Sequence, residues 1–367
     1  MEMLKHWRIY QNNDFGGENL NKLKIGIVGC GSIAKNRHIP AFQELSEITE
    51  IVAVHDINYD LAKNVAENNN IEFVMENYYQ MFELVDAVAV CTPNKFHAEI
   101  SIAALNSGVH VFCEKPMALN ELECERMVEA ANNSGKLLAI GYHYRFTDAA
   151  ITAKKAVLNG AVGDPLVSRI QALRRRKVPG WGVFTNKLLQ GGGSLIDYGC
   201  HLLDLSLWLL EGNEPVEILA KTYNRLSKSP NQINDWGGFN HETFDVDDHV
   251  SCFIIFKDNS SMQFECSWAA NIKDDTKHLS ISGVDGGISL YPFELYQHKY
   301  GTFFTEKAVA DHDEVLAAKR QATNFVKSCL GDEDLVVKPE EAQRTNLIIN
   351  AIYKSSIEGH SIRLSNI

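Results

Sequence analysis

At 367 residues the chain is too long for one small domain and suits two of ordinary size. Hydrophobic residues at 45% and charged residues at 22% give the mix of a globular enzyme and exclude a disordered or fibrous chain. A net charge of −12 leaves no global field to attract nucleic acid or anionic lipid, so neither is expected as a partner.

In chain order, residues 1–21 read as a polar, Asn-rich tail. Lys5, His6 and Arg8 interrupt their few apolar residues and no small-residue cleavage site follows, unlike a signal peptide. From 22 to 145 short apolar runs alternate with amphipathic stretches. Runs at 23–28, 51–54, 86–91, 109–113 and 137–141 are rich in Val, Ile and Ala, and predict parallel strands buried on both faces. A weaker strand is predicted at 71–74, and helices at 33–47, 58–68, 95–107 and 121–134. This alternation predicts a doubly wound parallel sheet, an α/β domain. Pro40, inside the first helix pattern, predicts a kink or an early break.

Gly29-Cys30-Gly31-Ser32-Ile33-Ala34 follows the first strand directly and opens a helix. The first glycine allows a tight turn and the second lets the backbone approach a pyrophosphate. The small last residue lets helix and strand pack closely. The helix N-terminus then offers free N–H groups to phosphate, at Ser32 and Ile33. Asp56 ends the second strand, where a carboxylate accepts hydrogen bonds from a ribose and repels a 2′-phosphate. The residues point to a dinucleotide, with NAD favoured over NADP.

After Arg145 the rhythm changes. A helix is predicted at 148–159 and a turn at 160–165. Strands are predicted at 166–173, 216–222, 249–256, 262–268, 279–282 and 288–290, with turns at 257–259 and 285–287. Neighbouring strands of this kind predict a largely antiparallel sheet in a second, α+β domain over 146–367. Residues 224–240 read as an exposed loop, and helices at 312–330 and 340–358 close the chain. The greasiest stretch, 202–210, is broken by Asp204 and Ser206 and is too short for a membrane span. The eight cysteines form no C-x-x-C pair and several sit in apolar runs, which predicts reduced thiols in a cytoplasmic protein and no metal site.

Three blocks carry a family resemblance. Residues 86–120 read DAVAVCTPNKFHAEISIAALNSGVHVFCEKPMALN, residues 142–146 read YHYRF, and residues 191–204 read GGGSLIDYGCHLLD. Together with the glycine loop they resemble the Gfo/Idh/MocA oxidoreductases, the group of glucose–fructose oxidoreductase and inositol dehydrogenase. The resemblance spans about 22–365. It implies a Rossmann domain followed by an open-faced sheet domain, whose free face makes homodimers that pair into homotetramers. It implies that Lys115, Asp197 and His201 form the catalytic group. It also implies that Thr92, Pro93, Asn94, His97 and Glu114 join Lys115 around the cofactor.

Oxidising a secondary alcohol requires removing a hydroxyl proton while hydride leaves the same carbon, and histidine serves as the base without heavy tuning. Asp197 and His201 are four apart and share a face if they begin a helix, where Asp197 orients the imidazole or holds a second hydroxyl. The Lys115 ammonium follows a buried strand and can stabilise alkoxide charge. His97 and His143 read as structural or binding groups. In the run 174–177, Arg174 is expected near the substrate with Tyr144, Arg145, Trp181 and Lys187, and an arginine there suits an anionic sugar. Trp181 and Trp236 are rings that either stack on a sugar or only pack. The expected activity is NAD-dependent oxidation of a sugar, inositol or related polyol. Two alternatives remain open: a glycosidase with bound, recycled NAD, and a non-enzymatic sensor.

Overall fold

The chain's computed structural model describes residues 22–211, 213–310 and 312–364; the expected tail lies outside the described residues. Six apolar runs form the first sheet: β1 (Leu23–Val28), β2 (Thr49–His55), β3 (Phe73–Met75), β4 (Ala87–Val90), β5 (His110–Cys113) and β6 (Leu138–Ile140). All pairs are parallel, in the order β3-β2-β1-β4-β5-β6. Ile25, Ile27, Ala87, Val88, Val90 and Val111 are fully buried, which is why these strands carry no polar face. The order reverses between β1 and β4, so a crevice opens beyond their carboxyl ends, where ligands bind in such sheets.

The helix after β1 widens into a π turn at Ala34–His38, where the Ile39 N–H donates to Ala34. It continues as Ile39–Gln43, four residues short of the sequence expectation. Pro40 has no N–H to give and its ring crowds a normal turn, and the wider turn absorbs it. Thr49 Oγ1 then donates to the Phe42 carbonyl and ends the segment (2.8 Å).

The second sheet has nine strands. They are β7 (Pro165–Leu173), β8 (Pro215–Tyr223), β9 (His249–Phe256), β10 (Ser261–Ser267), β11 (Thr276–Gly283), β12 (Gly286–Leu290), β13 (Phe293–Lys299), β14 (Thr302–Lys307) and β15 (Ile362–Arg363). Their order is β14-β13-β12-β11-β7-β10-β9-β8-β15, antiparallel apart from β7 beside β10. Helices Cys200–Leu209 and Pro339–Glu358 contribute their apolar residues to the core cluster with the inner positions of β7 to β12. Alternate positions such as Arg169, Ser251 and Gln263 are exposed on the other, open face.

Three features depart from expectation. Strands β13, β14 and β15 were not foreseen. The β13–β14 hairpin turns at Tyr300 and Gly301, both with positive φ (55° and 76°), without the usual Asn-Gly signal, and β14 is exposed throughout. Residues 224–240 are not merely an exposed loop: helix Arg225–Lys228 buries Ser227, and Asn234 bonds both polar backbone groups of Val178. Helix Glu314–Leu330 follows β14 in sequence but packs on the first sheet, where Ala322, Phe325 and Val326 join Ile25, Phe42 and Phe112 in one core. No helix among the described residues is long and apolar enough to cross a membrane.

Candidate active site

Gly29 turns with φ 93°, and a Cβ there would meet the Cys91 carbonyl at 2.7 Å and the Thr92 nitrogen at 2.9 Å. A Cβ on Gly31 would meet nothing within 4 Å, so the loop presents bare backbone to open space. Asp56 sits at the loop, accepting from Cys30 N (2.7 Å) and from Asn58 N (2.8 Å). Thr92 Oγ1, at the end of β4, is buried and has no partner. Bare glycine backbone, the helix start at Ser32 and Ile33, a carboxylate at the β2 end and an orphaned hydroxyl together fit a dinucleotide.

Pro93 begins the short turn Asn94–Phe96 beside Thr92. Three residues expected at the cofactor hold protein groups instead. Asn94 Nδ2 donates to the Gln190 carbonyl of the second domain (3.0 Å). His97 is fully buried with Nδ1 at 2.8 Å from the Pro116 carbonyl and Nε2 at 3.0 Å from that of Thr92. Glu114 is buried, with Oε1 at His38 Nε2 (2.7 Å) and Oε2 accepting from Lys115 N (3.1 Å). Burial opposes its charge, but His38, Arg37 and Lys115 outweigh burial and hold its carboxyl well below the usual range. Glu114 therefore positions Lys115, whose peptide bond to Pro116 is cis.

Asp197 lies in a second π turn, Leu195–Gly199, where Cys200 N donates to Leu195 O before helix Cys200–Leu209 begins. Lys115 Nζ donates to the Asp197 carbonyl at 2.7 Å and lies 3.5 Å from Oδ1. Oδ2 accepts from Trp268 Nε1 (2.9 Å) and from Arg174 Nη1 (3.3 Å). Burial disfavours the Asp197 carboxylate, but Lys115, Arg174 and Trp268 together depress its pKa. For Lys115, burial is likewise outweighed, by Cys200, Asp197 and Glu114, and its pKa is raised. Asp197 thus grips cations, and no bond ties it to the His201 ring.

His201 is buried on helix Cys200–Leu209, and its Nδ1 has no partner. Its ring stacks on Tyr144 (4.7 Å, 26°) and meets His143 edge-on (5.0 Å, 82°). Burial pushes its pKa well below the ordinary value, and Lys115, His143, Arg37 and Lys277 push the same way. Around it runs a chain of polar contacts. Arg37 Nη1 lies 3.4 Å from His143 Nδ1, and His143 Nε2 lies 3.7 Å from Glu314 Oε2. Glu314 Oε1 accepts from Lys277 Nζ (3.0 Å), which sits 3.9 Å over the Tyr144 ring. A cleft of about 310 Å³ reaches this chain, lined by Ser32, Ile33, Arg37 and Glu314.

Of the residues expected at the substrate, Tyr144 and Arg174 are here. The Arg174 guanidinium lies between Tyr198 (4.1 Å) and Trp236 (4.5 Å), and Trp181 packs on Trp236 (5.4 Å). Arg145 is not available to a substrate. It is 1% exposed, with Nε and Nη2 on Asp204 (2.8 and 2.6 Å) and Nη1 on Glu341 and the Val336 carbonyl. The sequence reading missed Arg37, Asp247, Trp268, Lys277 and Glu314. Asp247, Trp268, Lys277 and Glu314 come from distant segments with no local motif to mark them, whereas Arg37 lies in the helix that the glycine loop opens. Among the described residues no group of His, Cys, Asp or Glu is placed to hold a metal.

A family model described as an oxidoreductase family with an NAD-binding Rossmann fold matches residues 23–142, and the GFO/IDH/MocA C-terminal domain matches 150–289. The chain is 32% identical to D-glucoside 3-dehydrogenase of Escherichia coli over 93% of this chain and 97% of that protein. It is 25% identical to myo-inositol 2-dehydrogenase of Thermotoga maritima over 94% and 99%. Aldose-aldose oxidoreductase from Caulobacter crescentus shares the fold with a TM-score of 0.77 at 24% identity, over 94% of this chain and 100% of that chain. Two matched domains in order, around a glycine loop shaped for a dinucleotide, show that the chain belongs to the GFO/IDH/MocA family of NAD-binding oxidoreductases.

Proposed function

We propose that this enzyme moves a hydride between NAD and a secondary hydroxyl of a neutral pyranoside or cyclic polyol, with His201 as acid/base. The observation that carries the reading is His201 itself: buried, uncharged at neutral pH, with a free ring nitrogen, and close enough to Lys115 for that charge to act on it. The relatives named for D-glucoside and myo-inositol oxidation support a ring bearing secondary hydroxyls.

A neutral imidazole accepts the hydroxyl proton. Lys115 donates a hydrogen bond to the same oxygen and stabilises the alkoxide charge as it develops. Asp197 fixes that ammonium through its carbonyl and carboxylate. The positive surroundings of His201 then favour release of the proton it has taken. When bound, NAD supplies the hydride acceptor. Gly29, Gly31, Ser32, Ile33, Thr92 and Pro93 line its place, and Asp56 holds the adenosine ribose and repels a 2′-phosphate. The free thiols and the open sheet face support a reducing, cytoplasmic setting and a homodimer or homotetramer formed on that face.

The test is reduction of NAD or NADP by purified protein with inositols, methyl glycosides, free sugars, sugar acids and sugar phosphates. Steady NADH formation on a neutral ring, lost at least 100-fold in His201→Gln, is expected. Preference for NADP would overturn the role of Asp56. Glycoside cleavage without net NADH would replace the dehydrogenase with a glycosidase that recycles its cofactor.

A further inference from the structure

Trp181 and Trp236 are 49% and 37% exposed, unusual for indoles held this firmly. Asn234 fastens their two segments: it accepts from Val178 N (2.8 Å) and donates to Val178 O (2.9 Å) and Gly237 O (2.7 Å). Asp235 N adds a bond to the Arg176 carbonyl (2.9 Å). Beneath them is a separate small core of Val178, Phe244, Val246 and Trp268, with Phe184 and Phe239 against it. Trp268 in that core also donates to Asp197. The two indoles therefore stand on a rigid lip, joined to the catalytic carboxylate through Trp268 below and through Arg174 beside it.

The charges next to them are already engaged. Arg175 donates to the Lys273 carbonyl (3.1 Å), Arg176 to Asn271 (2.6 Å), and Lys177 pairs with Asp275. Arg174 is held by Asp197 and sandwiched between rings. Within 174–177 each cationic side chain is thus already held by another group, and beside it the lip offers flat π faces, against the expectation that an arginine of this run takes an anionic sugar.

We propose that Trp181 and Trp236 form a stacking subsite for a second, neutral ring joined to the oxidised ring through its glycosidic oxygen. The substrates are then glycosides with a sugar or aryl aglycone rather than free monosaccharides. This rests on the pyranoside reading above. Indole faces pack against the C–H face of a sugar or against an aryl ring, and the lip's rigidity removes the entropy of ordering them.

The experiment compares methyl β-glucopyranoside with phenyl β-glucopyranoside and cellobiose, in NAD reduction and in calorimetric binding to the protein loaded with NADH. Variants are Trp181→Ala, Trp236→Ala and the conservative Trp181→Tyr. In Trp181→Ala and Trp236→Ala the kcat/KM ratio of two-ring over methyl substrate is expected to fall about tenfold, through KM, with Trp181→Tyr restoring most of it. The ratio cancels any general damage to the fold. An unchanged ratio overturns the subsite, most plainly if the same variants dissociate an oligomer, which would assign the lip to contact between copies. Trp-dependent binding of phenyl glucoside without turnover of any sugar would retain the subsite and remove the dehydrogenase reading. Turnover of methyl glucoside with no gain from a second ring would do the reverse.

Discussion

His201 owes its neutrality first to burial and then to four neighbours, Lys115, His143, Arg37 and Lys277, that each disfavour an imidazolium. Its folded pKa is therefore below 6.5, and under the proposed acid/base role the neutral imidazole is lost only as pH falls through that lower value. The acid limb of kcat/KM should have its midpoint below 6.5, and Lys277→Ala should move the midpoint upward by removing one of the four. A pH–rate profile at saturating NAD checks this, and an unmoved limb in the variant would refute the arrangement. Lys115→Met should lower kcat by 100-fold or more, the rough cost of removing an oxyanion donor. At this scale the sequence was legible where a residue sits in a local motif: Lys115 and Asp197, which the resemblance groups together, are bonded to each other, and the Lys115 charge acts on the buried His201. It was illegible where a side chain's partner lies far along the chain. Arg145 has the residue type of a substrate clamp, but Asp204 and Glu341 take its donors, and nothing near position 145 announces them. Of the two roles open to Asp197, orienting the imidazole has no bond to carry it, since Trp268 and Arg174 arrive from other segments and donate to the carboxylate.

The element that presents this chemistry is the π turn Leu195–Gly199, and Asp247 holds its start. Oδ1 accepts from Gly193 N (2.8 Å) and Tyr353 Oη (2.6 Å); Oδ2 accepts from Ser194 Oγ (2.8 Å) and Leu195 N (3.0 Å). Asp247→Ala leaves four donors without an acceptor in a buried place, and should cost on the order of 3 kcal/mol in urea unfolding. Tyr353→Phe, which deletes one donor with its bond, should cost only about 1 kcal/mol. If the two variants cost the same, Asp247 is not the anchor of the turn. Gly193→Ala belongs with the severe variant, because its Cβ would fall on the Asp247 carbonyl. Elements were legible in proportion to their burial. The strands of the first sheet, apolar on both faces, announced themselves, whereas β14 is exposed throughout and gives no alternation to read. Pro40 signalled a disturbance correctly, but only the three-dimensional helix shows that it is a π turn followed by an early end.

Across the whole molecule the site is a junction, with Lys115 from the first sheet's domain, and Asp197 and His201 from the π turn and the helix under the second. Its geometry depends on how rigidly the two parts are joined. The chain leaves the first sheet at β6 and turns through His143–Phe146, where Arg145 is buried against Asp204 of the His201 helix and Glu341 of the last long helix. Helix Glu314–Leu330 closes the junction from the other side: Gln321 Nε2 donates to the Ile140 carbonyl (3.0 Å) and Arg320 Nη1 to that of Phe146 (3.0 Å). The order of the sheets was legible because each rests on its own run of strands. This return of a late helix onto the early sheet was not, since an amphipathic pattern does not say which sheet it will cover. The Arg145–Asp204 pair gives the sharpest test. Both side chains are essentially without solvent, so Asp204→Asn leaves a guanidinium buried and undercompensated, and should cost about 3–5 kcal/mol. The double variant Arg145→Met, Asp204→Leu removes both charges together and should regain most of that stability. If the pair is a junction, the double variant also regains kcat with an unchanged substrate KM. A stable double variant whose KM for every sugar rises about tenfold would instead return Arg145 to the substrate.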